Sequence, residues 1–329
     1  MLHHARVIAE SLTAWTRGAQ ALALVSTANE RGYLAYLTSP RSAAQFAAFA
    51  ALPGGTAADI LAALTELGVT EESDGRTQLS ADLSAQLSGV TDFAAKIDEA
   101  ALSARQVASV TSTGQAPLTA DEALVVAKAF ALRPTGGPQR AGALVEKLLE
   151  ATPEMRNAIS GGRLLDVGSG VSGFVLSAAA VLPGLRATTL ELIPAVAAVA
   201  VARAKELGVD DRIDVRVLDA RDLDEPSAYD AAFWAQPFFP EPTRAATLAM
   251  ILRSLRPGGL LLVQQMNVEP TDAGAHAEFT LRRLVAHAHD VPHGRPLADV
   301  VAEAEQAGFE PLTITQTDFG PIALVRRPR

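Results

Sequence analysis

The hydrophobic pattern of the chain changes period near residue 160. Before that point apolar residues recur at helical spacing, over Ala21 to Leu37, Ser42 to Leu52 and Ala57 to Leu67. Thr56 is the expected N-cap of the third segment and Gly68 its stop. Val69 to Leu79 then predicts two short strands about an Asp74-Gly75 turn, so helices followed by a hairpin make a winged-helix unit. Helical spacing returns from 91 to 160, broken by Arg133-Pro-Thr-Gly-Gly-Pro138, whose prolines and glycines stop a helix. From 163 onward strands alternate with helices. Strands are expected near 163–167, 186–191, 212–218, 230–235 and 260–266, and helices near 172–182, 194–207, 241–256 and 275–307. Gly258-Gly259 turns the chain into the fifth strand. Pro311 to Thr317 and Ile322 to Arg326, joined by Asp318-Phe-Gly-Pro321, read as an antiparallel hairpin at the edge, an ending unlike that of a dehydrogenase sheet. The expected domains are a winged helix over 1–110, a helical connector roofing the pocket over 111–160, and an α/β domain over 161–329.

Composition narrows the partners. The 329 residues, 49% hydrophobic, suffice for a large core, and a net charge of -9 argues against nucleic acid and anionic membrane, both of which require a basic face. Residues 1–115 carry seven bases against eleven acids, and the hairpin itself is acidic, so dimerisation suits the winged helix better than DNA binding. Cysteine is absent, which removes disulfides and thiolate chemistry, and no targeting or membrane-spanning run is visible. The expectation is a cytoplasmic protein with a small-molecule partner.

The chemistry concentrates in Leu164-Leu-Asp-Val-Gly-Ser-Gly170, with Gly173 beyond it. Gly168-x-Gly170-x-x-Gly173 between a strand and an Ala-rich helix predicts a nucleotide-type cofactor site, against the alternatives of a ligand-free turn or a dinucleotide fold. Asp166 sharpens the choice. A carboxylate there repels a pyrophosphate but suits a cationic ligand such as S-adenosylmethionine, with its ammonium and sulfonium. Glu191, about 20 residues on, stands where a carboxylate accepts ribose hydroxyls, and Asp219 ends a strand where an adenine amino group would donate.

On these residues the chain resembles the class I S-adenosylmethionine-dependent methyltransferases, and more narrowly the two-domain O-methyltransferase-like type with an N-terminal winged-helix dimerisation domain. The likeness runs over nearly the whole chain. Asp166-x-Gly168-x-Gly170 matches the methionine-binding motif, Glu191 the ribose acid, Asp219-Ala220 the adenine contact, and Leu255-Arg-Pro-Gly-Gly259 the turn before the fifth strand. Gly294-Arg295 and Ala307-Gly308-Phe309 match the late pattern. The resemblance implies a Rossmann-like α/β sheet of seven strands with an antiparallel last strand, a homodimer, and S-adenosylmethionine as donor with S-adenosylhomocysteine as product. The implied cofactor set is Asp166, Gly168, Ser169, Gly170, Glu191, Leu192, Asp219, Ala220 and Ala235.

One departure bears on the acceptor. Where O-methyltransferases of this type carry a His-Asp pair after the fourth strand, this chain has Phe239 and Pro240. Trp234-Ala-Gln236-Pro237-Phe238-Phe239 resembles instead the Asp/Asn-Pro-Pro-Tyr/Phe motif of amino methyltransferases. Gln236 is then expected to accept amine hydrogens beside the Pro237 carbonyl, with Phe239 facing the nitrogen. The alternative is a pocket wall of Pro-Phe-Phe, with His287 or His289 orienting a hydroxyl or carbon acceptor or taking its proton. A cofactor-binding relative that decarboxylates, hydroxylates or cyclises also stays open. His287, His289 and His293 invite a metal, but residues two apart on a helix point to different sides, so no metal is expected.

Overall fold

The computed structural model describes residues 2–134, 138–318 and 320–329. The interrupting loop 133–138 and the turn 318–321 therefore fall partly outside the described residues. The chain divides into two compact units, Met1–Ala104 and Arg105–Arg329. The helices expected to form a connector belong to the second unit.

In the first unit, α1 (Leu2–Glu30), α2 (Tyr33–Tyr36), α3 (Ala43–Ala50) and α4 (Gly54–Glu66) precede β1 (Thr70–Ser73) and β2 (Arg76–Leu79), followed by α5 (Ala81–Leu87) and the start of α6 (Phe93–Thr113). Tyr33, Leu37, Phe46, Leu61, Leu64 and Leu79 form its core. Ser42 caps α3 in a reciprocal box with Gln45. Thr56 does not cap α4, which starts two residues earlier behind Pro53. A proline with extended backbone leads into the helix there, leaving Thr56 in its first turn. The Asp74-Gly75 turn has φ of 52° and 70°, as a two-residue hairpin of this hand demands, and Arg41 bridges Thr77 as a minimal third strand.

The second unit continues through α7 (Ala120–Phe130), α8 (Pro138–Glu150), α9 (Pro153–Ile159), β3 (Arg163–Val167), α10 (Gly173–Val181), β4 (Arg186–Glu191), α11 (Pro194–Glu206), β5 (Ile213–Val217), β6 (Tyr229–Trp234), α12 (Glu241–Ser254), β7 (Leu255–Gln264), α13 (Ala273–His287), α14 (Leu297–Gln306), β8 (Glu310–Thr317) and β9 (Gly320–Arg326). Seven strands pair in the order β5-β4-β3-β6-β7-β9-β8, with β9 antiparallel to both neighbours and the others parallel. Side chains alternate across β3: Leu164 faces one apolar layer with Val175 and Leu176, while Leu165 and Val167 face the other with Trp234 and Ile251. The strand order reverses between β3 and β6, which opens a crevice at their C-terminal ends.

Two expectations are corrected. The segment 275–307 is not one helix: α13 ends at His287 and α14 begins at Leu297, because Pro292, Gly294 at φ 72° and Pro296 interrupt the ladder. The fifth strand begins at Leu255, with its register against β6 shifting after Tyr229 so that Arg256 to Gly259 bulge out. No single helix among the described residues is long and apolar enough to cross a membrane.

Candidate cofactor and acceptor site

At the end of β3 the chain reverses over Gly168 (φ 74°), Gly170 (φ 55°) and Ser172 (φ 56°) into α10. The amides of Gly168 and Ser169 both donate to the Leu190 carbonyl, at 3.1 and 3.0 Å, which ties the turn to β4. Two close approaches explain the glycines. A Cβ on Gly168 would lie 2.6 Å from the Phe239 ring, and one on Gly173 would lie 2.4 Å from the Leu132 carbonyl. Ala127, on α7, lies 3.8 Å from the place a Cβ on Gly170 would occupy, so α7 approaches the turn.

Asp166 sits just before this turn with 1% of its surface exposed, and its Oδ1 has no hydrogen-bond partner. Burial first, and the neighbouring Glu191 second, push its carboxyl up to about 8. A buried acid with an open oxygen calls for a cation or a proton. Beside it in register on β4, Thr189 also has an unpartnered buried hydroxyl, a residue that sequence reasoning passed over because a strand threonine looks like ordinary β-former.

Glu191 ends β4 with Oε2 accepting from the Gly170 amide at 3.0 Å and Oε1 from Ile193 at 2.9 Å. Desolvation raises its carboxyl while these amides act against the rise. Leu192, next to it, is exposed. Asp219 caps the short turn Ala220–Asp222 and takes the Arg221 guanidinium on both oxygens, at 3.0 and 2.7 Å. Arg221 holds its carboxyl below the usual range. Ala220 is buried, and the Ala235 amide donates to the Val167 carbonyl at 3.0 Å, which places Ala235 beside the turn. The sequence-expected cofactor residues thus stand at the C-terminal ends of β3, β4, β5 and β6, on one edge of the sheet.

The acceptor side differs from expectation. Gln236 is 3% exposed and its amide is committed at both ends: Nε2 donates to the Gln264 carbonyl at 3.0 Å, and Oε1 accepts from Arg244 Nη2 at 3.0 Å. The Gln236 oxygen, expected to face an amine, is thus already engaged by Arg244. Phe238 is exposed with its ring edge-on to Phe130, centroids 5.7 Å apart, and Phe239 packs between Trp234 and Gly168. His287 is the exposed last residue of α13. His289 and His293 instead have buried, unpartnered Nε2 atoms. His293 lies against Phe279, and burial, then Arg282, His287 and Arg283, lower its pKa. The loop between α13 and α14 reaches the strand ends, since the Asp290 backbone carbonyl accepts from the Glu241 amide at 2.8 Å and a Cβ on Gly294 would lie 3.3 Å from the Asn267 carbonyl. Among the described residues no group of three side chains could hold a metal ion.

Residues 164–259 match the family model described as a methyltransferase domain. The chain is 28% identical over 177 residues to the ubiquinone biosynthesis O-methyltransferase of Bordetella bronchiseptica, covering 52% of this chain and 72% of that protein. Among solved structures it superposes on mitomycin 7-O-methyltransferase with a TM-score of 0.75 at 20% identity, covering 99% of each chain. It also superposes on the N,N-8-amino-8-demethyl-D-riboflavin dimethyltransferase of Streptomyces davawensis with a TM-score of 0.67 at 17% identity, covering 98% of this chain and 99% of the other.

Proposed function

We propose that the chain, whose residues 164–259 match a methyltransferase domain, is a class I S-adenosylmethionine-dependent methyltransferase of the two-domain O-methyltransferase-like type acting on a small molecule, and that its acceptor atom is a nitrogen. The observation that carries this reading is the strand end after β6. Phe239 and Pro240 stand where a histidine base and its aspartate would, and Phe239 is packed between Trp234 and Gly168. An amine brings its own lone pair and needs no base there, whereas a hydroxyl gains from one.

Bound adenosylmethionine supplies an already activated methyl group on a sulfonium. The protein's task is then alignment and exclusion of water. Asp166 fits the ammonium end, because its buried open oxygen lacks a cation, and Glu191 and Asp219 fit the ribose and adenine ends. Phe238 and Phe130 give the acceptor side an aromatic wall, suited to a flat apolar ring and to the positive charge that grows on nitrogen. With Gln236 committed elsewhere, the Pro237 carbonyl is the acceptor for an amine hydrogen.

A second reading has its own support. His289 and His293 present unpartnered ring nitrogens on the loop beside the strand ends, and an imidazole there serves a hydroxyl acceptor. The curated relative and one of the two solved neighbours are named as O-methyltransferases, the other as a dimethyltransferase of an amino-riboflavin. Methyl-labelled adenosylmethionine offered with matched pairs of aromatic amines and phenols tests the choice. Label entering the amines and not the phenols supports nitrogen; the opposite pattern overturns it.

A further inference from the structure

Behind the turn Gln236–Phe238 lies an ion pair whose arginine is fully buried. Arg244, on α12, is 1% exposed and spends its guanidinium on two partners. Nε and Nη2 grip the two Glu303 oxygens at 2.8 and 2.6 Å, which joins α12 to α14. Nη1 donates to the Gln236 carbonyl at 2.7 Å and Nη2 to the Gln236 side-chain oxygen at 3.0 Å. The same guanidinium lies 4.6 Å from the centre of the Trp234 ring. Arg295 adds a second hold on Glu303, at 3.2 Å, and pairs with Glu241 at the start of α12.

A cation buried to this degree is costly unless its donors are met in fixed directions, so its partners are pinned with it. The pinned element is the turn Gln236–Phe238, whose Gln236 carbonyl also receives the Phe239 amide. Phe239 follows at once, and its ring leaves no room for even a methyl group on Gly168. The chain of contacts therefore runs from Glu303 through Arg244, Gln236 and Phe239 to the glycine turn beside Asp166.

We propose that Arg244, anchored by Glu303, is a positioning residue for the donor site: by holding Gln236 and hence Phe239 it sets the Gly168 turn at the end that takes the methionine portion of the cofactor. The proposal rests on reading the Gly168 turn as that end. It makes a selective demand, because the nucleoside portion is held elsewhere, by Glu191 and Asp219. Loosening Arg244 then weakens ligands that carry the amino-acid tail and spares those that lack it.

Calorimetry of the full chain with adenosylhomocysteine and with 5′-methylthioadenosine separates the two ends. Arg244→Met keeps an unbranched apolar stem, shorter than that of arginine, and removes every donor. Its expected result is a loss of adenosylhomocysteine affinity of about ten-fold or more, with methylthioadenosine affinity within about two-fold of wild type. Equal losses for both ligands, or no loss for either, overturn the proposal, since a general weakening of the fold does not distinguish the tail. Should Arg244→Met not fold, Glu303→Gln leaves Arg244 in place with a neutral, isosteric anchor. It is expected to shift the ratio of the two affinities in the same direction by a smaller factor, and an unchanged ratio overturns the proposal. A wild-type chain that binds neither ligand overturns the cofactor reading first, before any variant is compared.

Discussion

Glu191 raises the cost of charging Asp166. The two carboxyls end adjacent parallel strands, and the field of one adds to the burial of the other in pushing Asp166 up to about 8. Glu191 has two amides against its oxygens, whereas Asp166 Oδ1 has nothing. A cation placed beside the Asp166 oxygen would offset both its burial and the field of Glu191.

Asp166 therefore makes stability depend on pH. Its folded pKa, about 8, lies above the ordinary value of 3.8, so the folded state holds this proton more tightly than the unfolded chain does. The resulting contribution is complete below about pH 4 and is lost as pH rises through about 8. Asp166→Asn should flatten that decline, and above pH 8 the free variant should melt higher than wild type by about 4–8 °C if about 2 kcal/mol is recovered. Adenosylhomocysteine should raise the melting temperature of wild type and leave the variant nearly unmoved. Scanning calorimetry across pH 5–9 with and without the ligand checks both.

Gln236→Ala should show first as instability. The substitution removes a donor to Gln264 and an acceptor for Arg244 inside the protein, and about 1–3 kcal/mol of unfolding free energy is the expected loss. Urea denaturation measures it. A variant as stable as wild type would mean that the Gln236 amide is not committed as described.

The strand ends could be read from sequence because each carries its own local signal: Asp166 sits before a glycine turn, Glu191 and Asp219 close apolar strands. The expected adenine, ribose and methionine positions needed only that order and the rule that such strands are parallel. The partners of Gln236 could not be read, for the opposite reason. Its partners Arg244 and Gln264 are 8 and 28 residues away, and the Glu303 that anchors Arg244 lies 59 residues beyond it. Nothing in the local pattern marks a side chain as already spoken for. The break between α13 and α14 could be read from Pro292, Gly294 and Pro296, but helical spacing on both sides hid it. Phe239 against Gly168 is a close approach that only the folded chain reveals.

The first unit should join two copies of the chain. On α1, Leu12 and Trp15 are 59% and 68% exposed, large apolar side chains without cover along a helix whose residues 12–20 are all open to solvent. Sedimentation velocity at micromolar concentration should give a dimer, and Trp15→Glu should weaken it by about 2 kcal/mol, roughly 30-fold in dissociation constant. A monomeric wild type, or a Trp15→Glu dimer of unchanged strength, would refute this use of α1.

His293, not His287, should govern any hydroxyl acceptor. His287 is exposed at the end of α13, whereas His293 is half-buried on Phe279 with Nε2 unpartnered, and burial together with Arg282, His287 and Arg283 lowers its pKa below the usual 6.5. It is then neutral at pH 7 and able to take a proton, and that capacity is lost as pH falls through its lowered pKa. His293→Gln should cut turnover of a phenol about 100-fold or more and remove the acidic limb of the pH profile, while adenosylhomocysteine affinity stays unchanged. The same change should leave an aromatic amine turning over at nearly the wild-type rate, because its lone pair is free without a base. His287→Ala should affect neither acceptor. If His293→Gln slows amine and phenol alike, the imidazole acts by shaping the loop between α13 and α14 rather than by taking a proton, and the hydroxyl reading loses its base.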